Sequence, residues 1–559
     1  MTASTESAAG GDPAIAIEKL VDGIAASPWR SVALLLLLSL ICFLPGFGAI
    51  APIDRDEPLI AEITKLMVQS ASMIAARPEN HSAFFNPPGI NWLQAAAVEI
   101  MGGGPASPIW IYRLPSLFGA IGAVLLTWWA ALAFGKPRAA LLAAAILAVT
   151  PLLTGEARLA RPDAILLAMI VLGEGALARL WLGKDRAHYG LAFLFWTALG
   201  IGILMKGPVA PAVLGLTVIV LCFVRGSTAW LKRLMPVAGG IWLLLLVSPW
   251  LLSLFFAGSP GLWENSLNRV PAQETFSVPP GSHAVLFYPF FGPAGIFVAL
   301  AIPAILDHAR RPVFVFALAW VIPYWLLMEL LPGKLPDFVL PLYPALAIVA
   351  GTAIDEGKAR VTGWISTYFS LNPLVWPWVM ALASSVMFFV AEDRVPYAAI
   401  PFYAVAVVCG WYAFWWFYRQ KSLVASSILA VASALFIHIG LFGAVLADLT
   451  VFQVSSRVIA AGREAAGCDK PEFVATGFSE PSLVFYGGAG MRFSNPADAV
   501  DFLSEGGCRV ALVERRRQSI FNQRAADVGF PLQIEDQVKG VNLGDMRLVD
   551  MRIFVAGAR

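Results

Sequence analysis

The chain has 559 residues, of which 58% are hydrophobic and 14% are Asp, Glu, Lys or Arg. Soluble globular proteins carry roughly 25% charged residues, so this apolar content exceeds what one aqueous core can bury. The composition excludes a disordered chain, a disulfide-stapled secreted module and an ordinary cytosolic enzyme. The formal net charge of +2 includes no basic run of the kind that binds nucleic acid. A polytopic α-helical membrane protein is predicted.

Apolar runs long enough to cross a bilayer recur along most of the chain. A membrane helix needs about 20 such residues to cross roughly 30 Å of hydrocarbon. The first run, residues 31–50, is too long for the core of a signal peptide, so we interpret it as a retained anchor. Altogether the pattern predicts about 13 transmembrane helices. The further runs lie near 108–134, 139–154, 163–182, 188–204, 207–224, 237–257, 284–306, 312–331, 337–354, 373–391, 396–418 and 425–447.

The positions of Lys and Arg predict the orientation of these spans. Short cytoplasmic loops carry an excess of both residues, and every second connection here is basic. We therefore expect those connections and the N-terminus to be cytoplasmic, with Asp54-Arg55-Asp56-Glu57 and the C-terminal portion outside. The basic connections contain Lys136 and Arg138, Lys184 and Arg186, Arg225, Lys232 and Arg233, Arg310 and Arg311, Lys358 and Arg360, and Arg419 and Lys421.

Composition divides the chain into three predicted parts. Residues 1–29 form a cytoplasmic segment and residues 30–448 the transmembrane domain. Residues 449–559 carry many charges and form a soluble α/β domain on the outer face. Within this domain, an Asn-Pro pair is typical of a helix N-cap followed by Pro at the first helical position. The predicted elements are strands near 472–478, 509–514 and 546–555, and a helix that opens at Asn495-Pro496 and runs through Leu503.

Cys468 and Cys508 are the two cysteines of the predicted outer domain. An oxidising compartment allows them to pair, so we predict a disulfide. The alternative is two unpaired thiols, and geometry decides between them because the Cα atoms must approach within about 7 Å. The sequence has no Cys-x-x-Cys or His-x-x-x-His spacing, which argues against a structural zinc site.

The first outer loop, residues 51–107, carries the sharpest candidate for chemistry. Asp56 and Glu57 follow the first span directly, and they could simply be a solvated loop that ends a helix. However, the polar residues that follow recur at helical spacing opposite apolar ones, which predicts an amphipathic helix over 58–76 in the interface plane. A second short helix ends near Met101. The loop is thus expected to be a structured shelf with a carboxylate pair at the bilayer surface.

Further motifs follow in a fixed order along the chain, and together they resemble the bacterial GT-C glycosyltransferases. The similarity is to the aminoarabinose transferase (ArnT) and protein O-mannosyltransferase families, and it covers nearly the whole membrane region. The motifs are Asp56-Glu57-x-x-x-Ala61-Glu62-Ile63-x-x-x-Met67, Pro87-Pro88-x-x-x-Trp92-Leu93, Arg113-Leu114-Pro115-Ser116, Arg161-Pro162-Asp163-Ala164, Lys206-Gly207-Pro208, Pro249-Trp250 and Lys334-Leu335-Pro336-x-Phe338-x-Leu340-Pro341-Leu342-x-Pro344.

The resemblance implies a GT-C fold in a bacterial inner membrane. It also implies transfer of a sugar from a polyprenyl-phosphate-linked donor to a lipid, glycan or protein acceptor on the periplasmic side. Such an inverting displacement needs a carboxylate that takes the acceptor proton and cations that stabilise the departing phosphate. Asp56 matches the catalytic carboxylate of the family, and Glu57 is expected to position Asp56 or the acceptor. Asp163 matches a second acidic position.

Four cations on predicted outer loops are candidates for binding the donor phosphate. Each could instead snorkel to the interface. The outer loops are otherwise poor in Lys and Arg, so four cations at span ends indicate attraction of an anion. We rank Arg269 first, because the family places a donor-phosphate arginine in the loop 258–283. The four residues are Arg161, Lys206, Arg269 and Lys334.

Three residues, Asn86, Trp92 and Phe338, are expected to line the substrate groove. The sequence departs from the family pattern at two of them. Asn86 stands where the family commonly has a Lys, and Phe338 where it often has a Tyr. Both changes remove phosphate-binding groups, so Lys206 or Lys334 substitutes for them, or the donor differs. Relatives with a bound divalent metal use a His in the loop that here spans 263–269. This stretch has no His, so we carry over neither a metal nor a cofactor.

The alternative class is a transporter or flippase of lipid-linked sugars. Transporters commonly place ionisable residues at mid-membrane. Here nearly all charges lie at span ends, with Glu174 and Glu329 as the nearest exceptions. A non-catalytic scaffold that presents the outer domain has no need of the carboxylate-bearing first loop. The sequence therefore favours a transferase over both alternatives.

Overall fold

A bundle of helices followed by a small α/β unit makes up the computed structural model. It describes residues 13–52, 56–70, 87–183, 188–256, 276–331, 333–359, 370–420, 422–488, 490–542 and 547–556. The helices of the bundle are α1 (Pro13–Ala25), α2 (Pro28–Phe43), α3 (Asp56–Ser70), α4 (Gly89–Met101), α5 (Ile109–Ala131), α6 (Pro137–Ala148), α7 (Pro151–Glu156), α8 (Asp163–Leu182), α9 (His188–Lys206), α10 (Val209–Arg225), α11 (Pro236–Phe256), α12 (Ser282–Phe291), α13 (Gly295–Leu300), α14 (Ile302–Asp307), α15 (Pro312–Leu330), α16 (Tyr343–Asp355), α17 (Asn372–Glu392), α18 (Ile400–Trp415) and α19 (Leu423–Gly440).

Shorter elements connect these helices. A two-residue antiparallel pair joins β1 (Phe276–Ser277) to β2 (Gly333–Lys334). The 3-10 segment Pro336–Leu342 follows β2 and leads into α16. Other 3-10 segments are Gly104–Ala106 and Ala229–Leu234, and π-helical turns occur at Trp416–Gln420 and Leu441–Val445.

Within the described ranges, eight helices are long and apolar enough to cross a membrane. The pair α1–α2, bent by 110°, passes the same test as one broken span. The predicted apolar runs coincide with helices, although the run at 139–154 is divided between α6 and α7, and the run at 284–306 among α12, α13 and α14. The prediction of a polytopic helical membrane protein is confirmed. The count of about 13 spans stays a prediction.

The first predicted span, residues 31–50, ends earlier than its apolar run. Helix α2 stops at Phe43, and the chain then turns through Pro45 and Gly46. Gly46 has a φ of +73°, and a Cβ added there would lie 2.0 Å from the carbonyl oxygen of Phe442. Only glycine permits both this backbone conformation and this close approach. Apolar composition alone does not reveal such a turn.

Helix α3 forms over the first part of the predicted range, but two of the predicted polar positions are buried. The predicted helix spans 58–76, whereas α3 covers Asp56–Ser70 and residues 71–86 lie outside the described ranges. Glu62 and Lys65 are buried, and helix Pro481–Gly487 of the α/β unit packs against α3. The Lys65 ammonium donates a hydrogen bond to the carbonyl oxygen of Phe485 at 3.0 Å. At Lys65, the polar face of α3 therefore contacts the α/β unit, whereas Gln69 further along the same face is exposed.

The α/β unit is built on a five-stranded mixed sheet with the order β4-β3-β5-β7-β6. Strand β3 pairs in parallel with β4 and β5, and β7 is antiparallel to β5 and β6. Apolar clusters cover both faces of the sheet. The elements are α20 (Val454–Ala466), β3 (Glu472–Thr476), α21 (Pro481–Gly487), β4 (Arg492–Phe493), α22 (Pro496–Ser504), β5 (Arg509–Glu514), α23 (Gln518–Asp527), β6 (Asp536–Asn542) and β7 (Arg547–Val555).

The local predictions for this unit match the observed elements. The three predicted strands correspond to β3, β5 and β7. The Asn495 side chain accepts hydrogen bonds from the backbone N–H groups of Ala497 and Asp498, at 3.0 and 2.9 Å, so the predicted N-cap is confirmed. Strands β4 and β6 were not predicted. The boundaries at residues 29/30 and 448/449 stay predictions.

Several of the basic connections meet at one end of the bundle. The Arg138 guanidinium contacts Asp22 at 3.1 Å and Asp355 at 2.5 Å. Arg311 and Lys358 both contact Glu356, at 2.5 and 3.0 Å. Helix α1 and three connections that the charge pattern assigns to one side therefore lie together. That this end is cytoplasmic stays a prediction.

Cys468 and Cys508 are joined by a disulfide, and their Cα atoms are 6.2 Å apart. Replacing both residues by Ser is expected to destabilise the α/β unit by roughly 3–4 kcal/mol, because the bridge closes a long loop in the unfolded chain. Faster hydrogen exchange of the β3 and β5 amides in the full-length protein measures this loss. Cys222→Ser, which removes an unpaired thiol of α10, is the control. Five free thiols in non-reducing denaturant, instead of three, would contradict the bridge.

Candidate active site

Glu57 is anchored at the start of α3 by a buried arginine. The Arg113 guanidinium of α5 donates to both carboxylate oxygens of Glu57, from Nε at 2.7 Å and from Nη2 at 3.1 Å. The backbone N–H of Ala160 donates to the same carboxylate at 2.9 Å. Only 1% of the Glu57 side chain is exposed. Because two-point arginine–carboxylate contacts are directional, this pair fixes α3 against α5.

Arg113 and Arg158 also hold the segment between α2 and α3. Both guanidinium groups donate to backbone carbonyls that the end of α2 and the following turn leave without helical partners. Residues 42–51 are therefore held by side chains from the α5 and α7–α8 regions. The acceptors are the carbonyl oxygens of Phe47 (3.0 Å), Ile50 (2.8 Å) and Ala51 (3.3 Å) for Arg113, and of Cys42 (2.5 Å) and Pro45 (2.9 Å) for Arg158.

Asp56 is placed quite differently from its neighbour Glu57. As the first residue of α3, it has a side chain that is 42% exposed. A carboxylate oxygen lies 3.9 Å from Nη2 of Arg161. Asp56 is therefore accessible and adjacent to a cation, whereas Glu57 is buried and paired. The predicted carboxylate pair consists of one open acid and one anchoring acid.

Beside Asp56, four charged side chains form a ring of alternating sign. The Lys206 ammonium donates to Asp163 at 2.6 Å and to Asp337 at 3.0 Å. Nη2 of Arg161 lies 3.3 Å from Asp337 and 3.4 Å from Asp163. Asp163 opens α8 and Lys206 closes α9, positions that the helix dipoles favour for an anion and a cation. We call these four residues the charge ring.

Glu156, the last residue of α7, joins the ring through Arg161. Its carboxyl oxygen Oε1 lies 3.3 Å from Nη1 of that arginine. Oε2 is buried without a hydrogen-bond partner among the described residues. Burial raises the pKa of Glu156 to about 8, although Arg161 opposes this effect. Burial by itself lowers the pKa of Arg161. The nearby carboxyl groups of Glu156 and Asp163 have the larger effect, so the pKa of Arg161 is raised well above its usual value.

The remaining predicted site residues are more dispersed. Lys334 is buried, and its ammonium donates to the carbonyl oxygens of Glu329 at 2.8 Å and Leu331 at 2.9 Å. The Phe338 ring centroid lies 5.9 Å from the Lys206 ammonium, within reach of a cation–π contact. Trp92 is half-buried on α4. Asn86 and Arg269 lie outside the described residues. Among the described residues, no group of three or more His, Cys, Asp or Glu could hold a metal ion.

The structure adds residues to which sequence reasoning assigned no role. Asp337 occupies the variable position of the Lys-Leu-Pro-x-Phe motif. An acidic residue at the very start of the predicted span 337–354 was a signal that could have identified it. Arg113 stood in a quoted motif but was given no role. Glu156 and Arg158 precede Arg161 by a few residues in the sequence. Their spacing gave no indication that they belong to the site.

Known proteins resemble this chain in sequence and in fold. A family model described as dolichyl-phosphate-mannose-protein mannosyltransferase matches residues 86–252. An undecaprenyl phosphate-alpha-4-amino-4-deoxy-L-arabinose arabinosyl transferase of Aeromonas salmonicida (strain A449) is 25% identical over 429 residues, which cover 73% of this chain and 76% of that relative. The crystal structure of ArnT from Cupriavidus metallidurans in the apo state superposes with a TM-score of 0.72 at 19% identity, covering 96% of this chain and 100% of that one. The structure of the same enzyme bound to undecaprenyl phosphate superposes with a TM-score of 0.69 at 20% identity, covering 94% and 98%.

The fold is therefore GT-C, and the chain is a polytopic membrane glycosyltransferase. Within that class it is similar to ArnT and, over residues 86–252, to the protein mannosyltransferase family model. The resemblance inferred from the motifs is confirmed. The roles of the individual site residues stay predictions.

The buried pair of Arg113 and Glu57 can be tested through stability. Arg113→Gln leaves the Glu57 carboxylate buried without its charge partner, which is expected to cost about 3–5 kcal/mol of unfolding free energy. Denaturant unfolding in detergent measures the loss. The double variant Arg113→Gln/Glu57→Gln removes both charges and should recover part of it. Equal stability of Arg113→Gln and the parent chain would show that the pair does not anchor α3.

Proposed function

We propose that this glycosyltransferase transfers a sugar from a polyprenyl-phosphate-linked donor to a lipid, glycan or protein acceptor at the periplasmic face of the bacterial inner membrane. Support for the donor comes from the related arabinosyl transferases, whose names specify an undecaprenyl phosphate sugar. The ArnT structure with the same fold was determined with undecaprenyl phosphate bound. The relatives reported above are named as transferases, which favours a transferase over a flippase.

The observation that carries the mechanism is the open carboxylate of Asp56 beside Arg161. In the proposed inverting displacement, an acceptor hydroxyl oxygen attacks C1 of the donor sugar. The bond from C1 to the phosphate oxygen breaks, and its electron pair leaves with polyprenyl phosphate. Asp56 accepts the hydroxyl proton as general base. One displacement at C1 inverts its configuration.

The surrounding residues have supporting roles in this proposal. Arg161 lies next to Asp56, and Lys206 contacts Asp163, which also contacts Arg161, so both cations act on the charge that develops on the leaving phosphate. Asp163 orients both cations within the charge ring. Glu57 holds the start of α3 and thereby positions Asp56. Lys334 and Arg269 remain further candidates for phosphate binding.

The arrangement of charges supports the proposed orientation. Arg113 near the start of α5 contacts Glu57, whereas Arg138, which follows α5, contacts Asp22 and Asp355. Helix α5 has 23 residues and is therefore roughly 35 Å long, comparable with the thickness of the hydrocarbon core. The site and the basic connections thus lie about one membrane thickness apart. With the basic end cytoplasmic, the site is periplasmic.

Asp56→Asn is expected to abolish transfer, because the amide retains the shape of the side chain but cannot accept a proton. Thermal stability should be retained, since the carboxylate is exposed. The assay follows radiolabelled polyprenyl-phosphate sugar in proteoliposomes and measures release of polyprenyl phosphate. Near wild-type turnover would disprove the catalytic assignment. Passage of the labelled donor across the bilayer unchanged, without transfer, would instead indicate a carrier.

Asp56→Asn also distinguishes classes of acceptor. An acceptor hydroxyl requires a base, whereas an acceptor that is already an anionic phosphate does not. The loss of activity is therefore expected to be smaller for a phosphate acceptor than for a hydroxyl acceptor. Equal losses with both would show that Asp56 does more than remove a proton.

Arg269→Ala is expected to weaken donor binding and slow departure of the phosphate. Charge-assisted contacts are worth about 1.5–3 kcal/mol each, which corresponds to roughly 10- to 150-fold in kcat/KM. Steady-state kinetics with varied donor measure this change. An unchanged kcat/KM for Arg269→Ala, together with a severe loss for Lys206→Ala or Lys334→Ala, would transfer the phosphate-binding role to those lysines.

A further inference from the structure

Asp337 occupies the space between two cations that the proposed mechanism uses. Its carboxylate oxygen Oδ2 accepts hydrogen bonds from Lys206 at 3.0 Å and from Arg161 at 3.3 Å. The residue is buried, 6% exposed, in the 3-10 segment Pro336–Leu342. The neighbouring Asp163 contacts the same two cations. Within the charge ring, two carboxylates therefore balance two cations.

A balanced ring attracts an anion less than a free pair of cations does. The Coulomb energy between the ring and a ligand scales with the product of their charges. A polyprenyl-phosphate sugar is a phosphodiester with one negative charge. The polyprenyl phosphate released from it is a monoester that carries about −1.5 to −2 at neutral pH. Any change in the charge of the ring therefore affects the product about twice as strongly, in free energy, as the donor.

We propose that Asp337 is a specificity-determining residue that offsets the charge of Arg161 and Lys206, so that the site retains the monoanionic donor and releases the dianionic product. This inference rests on the proposed function. Asp337 lies on the 3-10 segment Pro336–Leu342, whereas Asp163 is the first residue of α8 and Lys206 the last residue of α9.

The test compares donor and product affinity in variants of Asp337. Asp337→Asn removes the charge and nearly preserves the size of the side chain. At neutral pH, donor binding should tighten by about 3-fold and product inhibition by polyprenyl phosphate by about 10-fold, since the product bears about twice the charge. Asp337→Glu keeps the charge and should leave the ratio of product to donor affinity near that of the parent chain.

Asp393→Asn is the matched control. It removes one carboxylate from an exposed turn after α17, at a backbone φ of +52° that Asn tolerates. The ratio of product to donor affinity should not change in this variant. The same measurement in Asp337→Ser provides a second charge-removing variant if Asp337→Asn does not fold.

The outcomes separate the inference from the function on which it rests. A parent chain that neither binds nor consumes the donor refutes the proposed function. A parent chain that is active, with the same affinity ratio in Asp337→Asn or Asp337→Ser as in the parent, overturns the role of Asp337 alone. Equal shifts in Asp337→Asn and Asp337→Glu would also overturn it, because they would reflect shape and not charge. In the parent chain itself, product inhibition that weakens steeply with added salt would show that the charges of Arg161 and Lys206 are not offset, and it would overturn the role of Asp337.

Discussion

The two-point contact between Arg113 and Glu57 is the interaction on which the rest of the site depends. It joins α3 to α5, and the same guanidinium holds the backbone carbonyls of Phe47 and Ile50 after α2. Ala160 extends the connection, because its N–H donates to Glu57 and its carbonyl oxygen accepts from Gln94 of α4. Three helices and the segment before α8 are thus fixed around Asp56. A buried charge pair of this kind is costly to break on one side, so the geometry of the site is closely coupled to the stability of the fold.

The α/β unit contributes to this geometry from outside the bundle. Lys65 donates to the carbonyl oxygen of Phe485, and the Phe485 ring meets Tyr112 edge-on with centroids 5.8 Å apart. Ala61, Val98 and Ala160 complete a small apolar cluster at the same place. Helix α3 therefore has the bundle on one side and the α/β unit on the other. This double contact explains why an amphipathic helix with charged residues is largely buried.

Charge balance distinguishes the site from a simple anion-binding pocket. Four cations at span ends predicted a concentration of positive charge. Instead, Arg161 and Lys206 are paired with Asp163 and Asp337, and Lys334 donates to two backbone carbonyls. Buried and partly buried cations need partners because an isolated charge is poorly solvated there. Their effect on a phosphate therefore depends on how well these partners offset them.

Local rules determined much of the chain. Apolar runs located the helices because a segment that crosses hydrocarbon must satisfy its backbone internally. The Asn495 N-cap, three of the strands and the start of α3 near Asp56 followed from patterns within a few residues. The order of the motifs also predicted the GT-C fold. These features depend on neighbours in sequence, which is why they could be predicted without a structure.

Tertiary structure alone decided which charges meet. Glu57 and Arg113 are 56 residues apart, and Lys206 and Asp337 are 131 residues apart. No periodicity links positions so distant, because their approach depends on how several helices pack. The break after α2 is another example, since the carbonyl oxygen of Phe442 demands glycine at position 46. The sequence by itself determined the helices, the class of enzyme and the candidate base Asp56. Only packing in three dimensions made Glu57 an anchor and placed Asp337 between the cations, because burial forces each charge to find a partner wherever the fold supplies one.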